Sequence, residues 1–150
     1  MPSHEEVERR VALLKKLKQT LNQQRDKFHN YLQVLDKERD SLEQGKIDHL
    51  QTQVKLEEVI VEEIGTFQKV IDPLEDVWRQ AYPESSDAEV EELKANLAQL
   101  KTQVLEKNAS NRSLLSSQME EVRSEIVRLR PRPKNPYGKR AESHLIDIST

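Results

Sequence analysis

Between Val7 and Leu42 an apolar residue returns at every seventh position, as Val7, Leu14, Leu21, Phe28, Leu35 and Leu42. Seven residues bring an α-helix back to nearly the same face, so these side chains draw one line along a helix. Val11 and Leu32, four places beyond heptad positions, and Leu17 and Tyr31, three beyond, widen the line into a stripe. At about 1.5 Å per residue the helix is more than ~50 Å long, and alone in water it cannot cover that stripe. The rest of the chain must supply the cover.

Composition favours more helix for that purpose. The 150 residues suffice for one domain, and 34 % charged residues, 4 % aromatics and three glycines suit long helices better than a sheet. Ser3 followed by Glu6 predicts a capping box, so the first helix is expected from His4 to about Gln44, ended by Gly45 in the left-handed conformation. Ile47, Leu50, Val54, Val61, Ile64 and Ile71, widened by Ile60 and Phe67, mark a second helix. The short turn between the two favours antiparallel neighbours. Asp72-Pro73 predicts either a break and restart or a kinked but continuous helix, carrying Leu74, Val77, Trp78 and Tyr82 to Pro83, with Trp78 as a plug at the end of the bundle rather than part of a partner groove.

Residues 83–87 form a loop, and Ser86 with Glu89 repeats the capping-box signature before a third helix. Val90, Leu93, Leu97, Leu100 and Val104 keep three-and-four spacing, and after a step of eleven residues the pattern resumes as Leu115, Met119, Val122, Ile126 and Leu129. The intervening residues 108–113 are polar and poor in helix formers, the weak point of this helix. Either the helix runs unbroken and packs on the hairpin throughout, or the segment from Leu114 swings away and offers Leu115, Met119, Val122 and Ile126 to another helix. Met119 suits an adaptable surface.

After Leu129 the chain changes character. Three prolines and one glycine within residues 130–140 cannot continue a helix and predict an extended, mobile tail, so the domain organisation expected is a helical bundle over 1–130 and a tail over 131–150. Arg128, Arg130, Arg132, Lys134, Lys139 and Arg140 follow one another without an intervening acid. Outside that cluster eighteen bases face twenty-seven acids, so an acidic body carries a basic tail. Nucleic-acid binding is disfavoured, because the body would repel phosphates and Tyr137 is the one ring beside the basic cluster.

The chain has no cysteine, no hydrophobic signal core at Met1 to Glu6 and no apolar run near the ~20 residues that span a membrane. A soluble cytoplasmic protein is expected. His4, His29, His49 and His144 are scattered, and Asp26-x-x-His29 lacks the second motif that a di-iron bundle needs. No nucleophile or phosphate-loop pattern occurs, so neither enzymatic activity nor a cofactor is expected.

The hairpin from Leu35 to Leu50, with its Leu-x-x-Glu-x-x-x-Leu helix end meeting Gly45, resembles the first turn of FlgN-type flagellar export chaperones, and Lys55-Leu56-Glu57 stands where that family carries a lysine. Tyr137-Gly138 followed by Leu145-Ile146-Asp147-Ile148 resembles the family's C-terminus. The resemblance implies an antiparallel bundle of three long helices, coiled-coil-like, working as a cytoplasmic chaperone of the type III secretion apparatus. Its clients would be hook-associated (hook–filament junction) proteins, delivered to the flagellar export gate. It also implies a client site at Leu115, Met119, Val122, Ile126 and Leu129, and a gate contact at Tyr137. The alternative from a different class is a structural coiled-coil adaptor, a homodimer whose seam is the Val7–Leu42 stripe.

Overall fold

The computed structural model describes residues 3–130; the expected mobile tail over 131–150, with Tyr137, lies outside the described residues. Three helices account for nearly all of them: α1 (His4–Gln44), α2 (Ile47–Ala81) and α3 (Ala88–Leu129). The all-α expectation holds, with no strand among the described residues. The chain divides into two compact units, one up to Leu115 and one from Ser116 onward, so the division falls inside α3.

Local chemistry sets the ends of α1. The Ser3 hydroxyl accepts the Glu6 amide at 3.2 Å, and Gly45 closes the helix at φ 71°, where a Cβ would be strained. At the start of α3 the cap is Asp87, one residue later than the expected Ser86. Its carboxylate accepts the Val90 amide at 3.1 Å, and Lys18 of α1 bridges it and Glu89. Asp satisfies orphan amides at a helix start as well as Ser does, and a charged one gains from the helix dipole.

Cross-helix partners fix the topology of the first unit. As numbers rise along α1, partners on α2 fall, from Gln24 with Gln68 and Lys27 with Glu63 to Ser41 with Gln53. Partners on α3 rise instead: Lys18 with Asp87, Asp36 with Lys107, Arg39 with Ser110. Thus α2 runs antiparallel to α1, and α3 runs parallel to it. Leu17, Leu21, Phe28, Tyr31 and Leu35 of α1 meet Ile60 and Ile71 of α2 and Val90, Leu93, Leu97, Leu100 and Val104 of α3 in one core.

Two expectations for α2 are corrected. The inward line is Gln53, Glu57, Ile60, Ile64, Phe67, Ile71, Leu74 and Trp78, an unbroken alternation of four- and three-residue steps, while Ile47, Val54 and Val61 of the expected face are exposed. Polar residues at two inward positions hide the register from a reading that follows apolar side chains. Nor does α2 break and restart at Asp72-Pro73: Pro73 lies inside the helix, which is continuous, the second of the two alternatives there. Its ring is solvent-facing, while Ile71, at 1 % exposure, and Leu74 anchor the chain on either side. That packing holds the helix together across the amide that proline lacks. Trp78 is half-buried rather than a sealed plug, with Tyr82 5.0 Å away and the Arg10 guanidinium over both rings.

Candidate functional site

Two features stand apart from an ordinary helical core. The first lies in the unit that ends at Leu115, where polar side chains occupy inward positions on all three helices. Gln24, 1 % exposed, donates to the Ile64 carbonyl at 3.2 Å and to Gln68 at 2.9 Å. Nearer the α1–α2 turn, Asn111 of α3 is 3 % exposed and donates to the Leu35 carbonyl at 3.0 Å. Beside it stand Glu38 and Glu57, and Ser41 accepts from Gln53 at 3.0 Å. Burial, then a hydrogen bond and the negative charge of Glu38, push the Glu57 carboxyl up to about 8, with Arg112 partly opposing. Burial and the charges of Glu57 and Glu38 likewise raise the Tyr31 hydroxyl.

Asn111 also explains why the polar run at 108–113 stays helical. Its amide gives α3 a buried anchor where apolar residues are missing, and Leu114 continues the inward line. The helix is continuous from Ala88 to Leu129, although the expectation of packing on the hairpin throughout does not hold.

The second feature begins where burial stops. From Leu115 every described residue except Gln118 is exposed, so continuity of α3 is not accompanied by burial along its whole length. The five expected client-site residues keep a regular helical spacing, with exposures rising from 39 % at Leu115 through 51 %, 54 % and 55 % at Met119, Val122 and Ile126 to 81 % at Leu129. Met119, Val122, Ile126 and Leu129 stand in the second unit and Leu115 ends the first. In the second unit, spacing of three and four places Met119, Val122, Ile126 and Leu129 on one side of the helix, with Glu121, Arg123 and Glu125 among the charged residues between them. Such a stripe can bury apolar area against an amphipathic partner; it carries no group that could do covalent chemistry.

Elsewhere, Asp26 and His29 line an open depression of roughly 430 Å³ with Arg25, Asn96, Gln99, Leu100 and Gln103. Among the described residues no three His, Asp or Glu side chains are grouped to hold a metal ion. None of the described helices is long and apolar enough to cross a membrane.

Comparison with known proteins identifies the lineage. The FlgN protein family matches residues 13–144, most of the chain. The chain belongs to the FlgN family. An uncharacterized protein of Treponema pallidum (strain Nichols) is 35 % identical over 128 residues, covering 85 % of this chain and 82 % of its own length. No solved structure matches. FlgN proteins are flagellar export chaperones rather than enzymes, and the helical architecture found here accords with that family.

Proposed function

We propose that this FlgN-family chain binds hook–filament junction proteins in the cytoplasm and delivers them to the flagellar type III export gate. The client lies along Leu115, Met119, Val122, Ile126 and Leu129, and Tyr137 makes the gate contact. The observation that carries the reading is the exposed apolar stripe at the end of α3, a regular helical face left open to solvent. A client segment without structure of its own can fold as an amphipathic helix against such a face and still be released, since ordering it offsets part of the binding energy.

The adaptor alternative is weakened by the fold. From Leu17 to Leu42 the α1 stripe is covered by the chain's own helices, so it needs no second copy; only Val7 and Val11 at its start are exposed. Calorimetric titration with the terminal helical segments of the organism's junction proteins tests the proposal, comparing the full chain with one ending at Arg130. Micromolar or tighter binding by both is expected, with Tyr137 dispensable for the client. Absence of binding by either would overturn the client assignment.

A further inference from the structure

One level of the first unit places carboxyls where apolar side chains stand elsewhere in the core. Glu38 of α1 and Glu57 of α2 occupy inward positions one turn from the Ser41–Gln53 hydrogen bond, which sets them at one level of the antiparallel pair, and Glu38 acts on Glu57 through a side-chain hydrogen bond and its charge. Glu38 Oε2 and Glu57 Oε1 are buried and find no donor unless one of the carboxyls carries a proton, and Gln53 Oε1 is likewise buried without a partner. From α3, the Asn111 amide bonds the Leu35 carbonyl at 3.0 Å and reaches Glu38 Oε1 at 3.5 Å. The ionisable groups facing Glu57 are Tyr31 and Glu38 from α1 and Arg112 from α3.

Two carboxyls so placed cannot both ionise without strong repulsion, so Glu57 keeps its proton beside the charge of Glu38. With Glu57 protonated, its hydroxyl donates to the Glu38 carboxylate, and the layer carries one negative charge in place of two. Arg112 compensates only in part, because its residue is exposed and its charge is screened by solvent.

We propose that the Glu38–Glu57 pair is a proton-operated clasp on α3. With Glu57 protonated, Asn111 sits against the α1–α2 hairpin; when that proton leaves, the layer opens and the turns of α3 around Asn111 come free. Val104 and Leu100, buried in the apolar core, keep the preceding turns in place, so the opening is local. The flanking Lys107–Asp36 pair and the Arg39–Ser110 hydrogen bond are exposed and hold weakly. Glu57, pushed up to about 8 by burial and by Glu38, places the transition just above neutrality.

Hydrogen exchange of the full chain, read by mass spectrometry at pH 6.5 and 9 and corrected for intrinsic exchange rates, tests the clasp. Protection over residues 105–115 is expected to fall about tenfold or more across that range, while residues 93–104 keep theirs. In Glu57→Gln, and independently in Glu38→Gln, the pH dependence of 105–115 is expected to vanish, since an amide forms the same hydrogen bond without a second charge. Equal protection at both pH values in the unmodified chain would overturn the proposal. So would a fall that persists in both variants, or one shared equally by 93–104.

Discussion

Replacing Met119 and Ile126 together by Asp separates a docking face from a structural one. Both side chains are about half exposed, at 51 % and 55 %. Fully burying such a side chain is worth about 1.5–3 kcal/mol, so covering the remaining half under a client adds about 1 kcal/mol at each position. Aspartate forfeits both contributions, about 2 kcal/mol in all, and sets a carboxylate against an apolar partner, so affinity should drop by at least ~30-fold. For the free chain the loss is far smaller. Asp is a poorer helix former than Met or Ile by a few tenths of a kcal/mol, which leaves the change in stability below about 1 kcal/mol. Calorimetry with a junction-protein segment reads the first quantity, and a urea melt followed by circular dichroism reads the second. A collapse of helicity, or a stability loss of several kcal/mol, would show that these residues are core. Undiminished client binding would show that the stripe is not the site.

Three further outcomes follow from the first unit. Leu35→Ala empties a site with 0 % exposure beside Asn111 and should cost about 2–5 kcal/mol in urea unfolding. Pro73→Ala restores an amide for the Lys69 carbonyl on a solvent-facing position and should stabilise by about 1–3 kcal/mol; a lower melting temperature would show that the proline shapes the seat of Trp78. Glu57 keeps its proton to about 8 when folded and releases it near 4.5 when unfolded, so its stabilising effect is complete below about 4.5 and lost as pH rises through 8. Because the side chain is only part-buried, the full swing is put at about 1–3 kcal/mol, and urea midpoints of Glu57→Gln should be flat over the same window.

The sequence made the helices legible because α1 repeats its apolar residues with little interruption and its ends carry strong local signals in Ser3 and Gly45. It misled where polar residues hold inward positions. On α2, Gln53 and Glu57 interrupt the apolar line, and the apolar pattern continues through Val54 and Val61, which face solvent. On α3, Asn111 looked like a helix breaker and is a buried anchor, a role that depends on a carbonyl of another helix and cannot be seen in local sequence. Pro73 gave a sound local signal that tertiary packing overrode. The stripe from Leu115 to Leu129 was visible as a pattern, but its exposure was not, since periodicity marks a face without saying whether that face is covered.

The parallel run of α1 and α3 bears on the order in which the chain assembles. Partners such as Arg39 and Ser110 are 71 residues apart, whereas Ser41 and Gln53 are separated by 12. Closing the shorter loop sacrifices less chain entropy, so the α1–α2 hairpin is expected to form first, even while α3 is still being synthesised. The third helix then docks onto a preformed groove. Having joined last through long-range contacts, it is also the first element expected to detach as the bundle begins to unfold.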